Sequence, residues 1–169
     1  MSETLDLLII GAGACGLAGA ISAHDAGGTV AIVEGRDRPG GNSSLSTGSI
    51  PGAGSKYQHQ AGIDDSPRRM VEDLTRIAGH HQADDLTQMI AAECGPLCEW
   101  LSEDLGARME LITAYRHLGH SVERLHAPRS RRGQDLVDDL LRSVAQRDIP
   151  IAVGNKAKHL LVEDGYVVG

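Results

Sequence analysis

Gly11, Gly13 and Gly16 stand in the G-x-G-x-x-G spacing, and Glu34 follows roughly twenty residues on. The chemistry this combination serves is the holding of a dinucleotide. Glycines permit a tight turn, close backbone approach to a pyrophosphate and close packing of helix on strand, and the helix N-terminus then faces the phosphates. An acid at the end of the next strand accepts hydrogen bonds from a ribose. Glu34 therefore argues for an unphosphorylated adenosine ribose. A 2′-phosphate would be repelled there, which disfavours NADP.

Elements of the right kind surround these residues. Leu5, Leu7, Leu8, Ile9 and Ile10 form the nearly continuous apolar run of a parallel strand buried on both faces, predicted to be the central strand. Residues 14–26 read as a small-residue helix (Leu17, Ala18, Ala20, Ile21, Ala23) that stops at Gly27 and Gly28. Residues 29–33 are a second strand that delivers Glu34 to its carboxyl end. A bare glycine motif is weak, but strand, turn, helix, strand and acid in this order are the context it requires. The choice between NAD and FAD rests on the segment that follows.

Bulk properties narrow the class. At 169 residues the chain suits one domain with a core, and no repeat is visible. A net charge of -7 argues against nucleic acid or an anionic membrane, with Arg129, Arg131 and Arg132 the only tight basic cluster. The apolar runs are too short for a membrane span, and the N-terminus leads into a strand and not a signal peptide, so a cytoplasmic location is expected. Cys15, Cys94 and Cys98 are odd in number and form no C-x-x-C pair, so neither a disulfide framework nor a zinc cluster is indicated. Cys94 and Cys98 share a helix face and are expected to be small core residues. Phe is absent, so the interior must be built from Leu, Ile, Val and Ala.

Residues 35–62 are rich in Gly, Ser and Pro and too irregular for a helix or a paired strand, which predicts an ordered loop wrapping a ligand. Ser66-Pro67 starts a helix with the stripe Met70, Val71, Leu74 and Ile77, ended by Gly79. Asp84 and Asp85 open a second helix that runs towards Gly106 and that Pro96 should kink or divide. Residues 134–147 form a third, leading to a strand over 149–153 and a hairpin over 160–168 that turns at Asp164-Gly165. His117, His120, His126 and the pair His80-His81 match no metal-ligand spacing, and no metal is expected. Arg124 and His126 are expected in structural roles, with contact to substrate or flavin as the alternative.

With these residues in place the chain resembles the fumarate reductase and succinate dehydrogenase flavoprotein family, above all its soluble flavocytochrome c type. The likeness rests on Glu34 followed by Gly40-Gly41-Asn42-Ser43 and Ser46-Thr47-Gly48-Ser49. It continues through Ile63-Asp64-Asp65-Ser66, Trp100-Leu101 with Gly106-Ala107, and Ser121-Val122-Glu123-Arg124-Leu125-His126, and covers essentially the whole chain. The resemblance implies an α/β, Rossmann-like FAD-binding fold with a glutathione-reductase-type parallel sheet and helices. It implies that Gly11, Gly13, Ala14, Cys15 and Gly16 line the pyrophosphate and that Glu34 binds the adenosine ribose. Gly41, Asn42, Ser43, Thr47 and Gly48 would run along the ribityl chain and flavin ring, and the backbone near Ala157 would approach the adenine. The residue chemistry agrees, since Gly40 and Gly41 allow close approach while Asn42, Ser43 and Thr47 offer hydrogen bonds. Relatives that attach FAD covalently use a histidine in this loop, where Ser43 stands here, so non-covalent FAD is expected.

Family members are several times longer, with a capping domain that carries the catalytic groups before the chain returns to complete the fold. By that measure residues 1–169 are the N-terminal part of an FAD-binding domain: a β-α-β unit to 34, a flavin-wrapping loop over 35–62, a helical segment over 63–148, and a strand and hairpin over 149–169. The fold would be incomplete and the catalytic residues would lie beyond 169. A fragment, a truncated product and one half of a split enzyme are all open. The expected function is the FAD-binding portion of an oxidoreductase acting on a C=C or CH–CH bond of a small carboxylate-type substrate, the chain alone being inactive. A non-catalytic nucleotide-binding module that needs a partner is the alternative. An NAD-dependent Rossmann dehydrogenase is disfavoured by the Gly40-Gly41-Asn42 loop. Exposed apolar edges of an incomplete sheet would favour self-association or a complementing chain.

Overall fold

The computed structural model describes residues 4–169. Its elements are β1 (Leu7–Ile10), α1 (Ala14–Asp25), β2 (Val30–Val33), β3 (Ile50–Pro51), α2 (Lys56–Gln60), α3 (Pro67–Ala78), α4 (Asp84–Glu103), β4 (Met109–Leu111), β5 (Leu125–Pro128), α5 (Gly133–Ala145), β6 (Ile151–Ala152), β7 (Val162–Glu163) and β8 (Tyr166–Val167). They divide into two compact units, one made of residues 4–44 and 140–169, the other of residues 45–139. Among the described residues no helix is long and apolar enough to cross a membrane.

In the first unit, β1 pairs in parallel with β2, and β2 with β6. The helix between β1 and β2 rests on the first strand because two of its residues are glycines. A Cβ on Gly16 would lie 3.2 Å from the Ile9 Cγ2 and one on Gly19 3.7 Å from the Ile9 Cδ1, while Leu17, Ala20 and Ile21 are buried. The strand itself departs from expectation. It is an edge strand of a three-stranded sheet and not the central one. No described strand pairs along its other side, so Leu7, Leu8 and Ile10 remain 41 to 56% exposed. The 160–168 hairpin forms as β7 and β8, turning through Asp164 (φ +49°) and Gly165 (φ +84°).

The second unit contains structure that the Gly- and Ser-rich composition of residues 35–62 conceals. That tract was expected to hold no helix or paired strand, yet β3 pairs antiparallel with β5, which also pairs with β4. α2 begins at a capping box, with the Ser55 side chain accepting from the Gln58 N–H and the Gln58 side chain accepting from the Ser55 N–H. α3 starts at Ser66, whose hydroxyl accepts from the Arg69 N–H, with Pro67 in the first turn. α4 runs unbroken through Pro96, because burial of Ala91, Cys94, Gly95, Cys98 and Leu101 offsets the proline's cost.

Gly95 sets how closely α4 approaches the loop after β3. A Cβ there would lie 2.5 Å from the Ala53 carbonyl oxygen. Gly95→Ala must push the helix off that loop at a cost of about 1–3 kcal/mol. The melting temperature is expected to fall by about 3–10 °C, as read by circular dichroism.

Candidate functional site

All the expected cofactor-binding residues except Thr47 and Gly48 lie in the first unit. Gly11 (φ +102°) turns the chain out of β1, and Gly13, with no side chain to cap the helix, occupies the N-cap of α1. One further segment, residues 40–43, closes on this turn. The Gly40 N–H donates to the Ala12 carbonyl at 2.8 Å, and Gly13 and Gly40 form a parallel bridge. The Ala14 N–H donates to the Ser43 Oγ at 3.2 Å. Gly41 is held at φ +52°, where a Cβ would lie 3.8 Å from the Gly13 Cα. Cys15 and Asn42 are exposed beside this loop.

The glycines differ in what requires them. At Gly16 a Cβ would stand 1.9 Å from the Gly11 carbonyl oxygen, so the protein's own packing forbids a side chain. At Gly13 a Cβ would meet only the Ser43 Oγ at 3.8 Å and the Gly40 oxygen at 3.9 Å, which are ordinary contacts. The space in front of Gly13 is a cradle that a Cβ would fill, at the positive end of α1. A pyrophosphate fits that requirement.

Glu34 is buried at the end of β2, and both its carboxylate oxygens accept backbone amides. Oε2 accepts from Ala12 and Oε1 from Arg36, each at 2.8 Å. These two N–H groups hold its carboxyl below the ordinary value against the opposing effect of burial. The acid thus braces the glycine turn, and each of its oxygens keeps a further lone pair. Beyond it, the Asn155 N–H donates to the Glu34 carbonyl and the Gly154 N–H to the Arg36 carbonyl, at 2.8 and 2.7 Å. The segment carrying Ala157 therefore runs beside the end of β2.

In the second unit, the Thr47 hydroxyl is 3.0 Å from the Ser49 Oγ, and the Gly48 N–H donates to the Ser46 Oγ at 3.0 Å. The Ser46 carbonyl accepts from Gly133 at the start of α5. Gly48 (φ +66°) is pressed close to Gly133 and Pro128, where a Cβ would lie 3.1 Å from the Gly133 Cα and from the Pro128 Cδ.

Arg124 and His126 are fully buried in this unit. The Arg124 Nε and Nη2 donate to the two oxygens of Asp65 at 2.9 and 3.0 Å, and Nη2 also lies 2.9 Å from the Asp73 Oδ2. The His126 Nδ1 faces the Arg124 carbonyl at 3.0 Å and must donate to it, leaving Nε2 to accept from the Ser55 hydroxyl at 2.9 Å. Burial holds this imidazole below its ordinary pKa. Burial, with Cys94 nearby, pushes the Cys98 thiol up to about 12, so it packs as an apolar group. Among the described residues no group of three or more His, Cys, Asp and Glu is arranged to hold a metal ion.

Sequence reasoning quoted Asp65 only within the Ile63-Asp64-Asp65-Ser66 likeness and missed Asp73, the two carboxylates that the fold buries around Arg124. It also missed the capping box at Ser55, whose S-x-x-Q spacing was visible.

Known proteins resemble this chain. The chain is 30% identical over 170 residues to the "Probable fumarate reductase Ifc3" of Shewanella frigidimarina, an alignment covering 99% of this chain and 28% of the relative. It is 30% identical to the "Urocanate reductase" of Eggerthella lenta over 172 residues, covering 100% of this chain and 28% of that protein. A solved structure, the open conformation of a flavocytochrome c3 fumarate reductase, superposes with a TM-score of 0.88 at 28% identity, covering 96% of this chain and 29% of that one. The chain thus spans less than a third of the length of these relatives. The family profile described as "FAD binding domain" matches residues 6–169, and FAD is the cofactor it indicates. The glycine turn, the braced acid and the match across nearly the whole length together place this chain in the FAD binding domain family.

Proposed function

We propose that this chain is the N-terminal FAD-binding part of an oxidoreductase that moves a hydride between flavin and the C=C or CH–CH bond of a small carboxylate-type substrate. The observation that carries the proposal is the glycine turn at the N-terminus of α1, where a Cβ on Gly13 would meet the Ser43 Oγ and the Gly40 oxygen only at ordinary contact distance. Fumarate and urocanate, named in the relatives, are both unsaturated carboxylates, which supports the substrate class.

FAD supplies hydride chemistry when bound. This chain's residues do the holding: Gly11, Gly13, Ala14, Cys15 and Gly16 at the pyrophosphate, Glu34 at the adenosine ribose, Ala157 near the adenine, and Gly41, Asn42, Ser43, Thr47 and Gly48 along the flavin half. Ser43 offers no imidazole for a covalent link, so the cofactor is held by non-covalent contacts alone. Arg124 and His126 are committed to buried bonds within their own unit. Proton delivery to substrate is therefore assigned to residues other than these, and the chain alone is inactive.

The test is the visible spectrum of the purified chain before and after acid precipitation. Flavin bands that pass into the supernatant as FAD are expected. Colour retained in the pellet would overturn non-covalent binding, and a colourless chain that takes up no added FAD would overturn the whole proposal.

A further inference from the structure

Gly35 directly follows the acid that holds the ribose, and the place its side chain would take is covered by another residue. A Cβ on Gly35 would lie 3.5 Å from the Cα, Cβ and Cγ of Lys156. The backbone fixes Lys156 there, since the neighbouring Asn155 and Gly154 amides donate to the Glu34 and Arg36 carbonyls. Lys156 is exposed, so its stem lies along bare main chain and outside the core. A lysine stem covers apolar surface in this way while its ammonium stays in water.

We propose that Lys156 is a positioning residue for the adenosine half of the cofactor, its methylene stem forming the apolar wall of the site whose polar side is Glu34. This rests on the FAD reading above. The stem and not the charge is the agent, because the contact runs through Cβ and Cγ, and the Glu34 carboxylate is engaged by backbone amides. Every residue the argument uses belongs to the first unit. ADP, which carries only the adenosine and diphosphate, is therefore a sufficient probe.

The experiment is calorimetric titration of ADP and of FAD into the 169-residue chain, its Lys156→Ala variant and its Lys156→Met variant, with a thermal melt of each. Lys156→Ala is expected to raise Kd for both ligands about fivefold to tenfold, the loss of one to two buried methylenes, with no change in melting temperature. Lys156→Met, which keeps the stem and removes the charge, is expected to bind as the parent chain does. If the parent binds FAD and Lys156→Ala binds it equally well, the inference falls and the cofactor reading stands. If Lys156→Met is as weak as Lys156→Ala, the stem is not the agent and the inference is again overturned. If the parent binds neither ligand, the cofactor reading fails and takes this inference with it.

Discussion

Gly16→Ala is expected to cost the chain both its FAD and much of the stability of its first unit, whereas Gly13→Ala is expected to cost it FAD alone. At Gly16 the added methyl would sit 1.9 Å from the Gly11 carbonyl oxygen and 3.2 Å from the Ile9 Cγ2. The first is main chain in the turn itself and cannot swing aside as a side-chain tip could. The helix must lift from β1, which spoils the packing and moves the α1 amides proposed to face the cofactor. Overpacking of this kind costs about 1–3 kcal/mol, a fall in melting temperature of about 3–10 °C for a chain of this length.

At Gly13 the methyl meets nothing closer than 3.8 Å, and φ is -78°, where any residue is at ease. The protein accepts it. Under the proposed function the pyrophosphate would not, because the methyl would occupy the space through which the phosphates would reach the α1 amides. Parallel thermal melts and FAD titrations of the two variants separate these effects. A Gly13→Ala chain that keeps both its melting temperature and its FAD affinity would remove the pyrophosphate from this loop.

That contrast marks the limit of what the sequence reveals. The β-α-β unit is legible because each part is local: an apolar run, a glycine spacing, a helix stop and an acid in order. The helix starts at Ser66 and Asp84 are legible for the same reason. The β3–β5–β4 sheet is not, because its strands are two to four residues long, contain Pro51, His126 and Pro128, and pair across long stretches of chain. Such strands show no alternation to detect. β1 misleads in the opposite sense. Its apolar run fits a doubly buried strand, yet a described partner lies on one side alone. In the site, the glycine spacing and the acid are local signals, but the role of Glu34 as a brace on Ala12 and Arg36 is a matter of three-dimensional contact. The same holds for Lys156, which is separated from Gly35 by most of the chain.

Arg124 shows the same kind of hidden dependence at its strongest, and its removal is expected to be the most damaging single change in the second unit. Its guanidinium is the cation shared by the two buried carboxylates of Asp65 and Asp73. In Arg124→Met, Asp65 keeps the Gln58 Nε2 at 2.9 Å, and Asp73 keeps the Ser121 N–H at 2.7 Å, the Ser121 hydroxyl and Arg76. Asp73 thus keeps a cation but Asp65 keeps none, and breaking a buried network by deleting one partner costs about 3–5 kcal/mol. A fall in melting temperature of about 6–20 °C follows.

The pH dependence carries a second signature. Burial pushes the Asp73 carboxyl up, but the Ser121 N–H and hydroxyl, Arg76 and Arg124 outweigh it and hold the group at about 2 against an ordinary 3.8. A folded value below the unfolded one means that the ionised carboxylate stabilises the fold. Its contribution is complete above pH 3.8 and is lost as pH falls towards 2. Without Arg124 the group is easier to protonate, so acid unfolding followed by circular dichroism is expected to begin at higher pH in Arg124→Met than in the parent chain. Neutralising the stranded acid in Asp65→Asn/Arg124→Met is expected to recover part of the lost stability, since the cost lies in the uncompensated charge. An Arg124→Met chain that melts and acid-unfolds like its parent would show that the pairing contributes nothing, and that the fold of this unit rests on its apolar contacts alone.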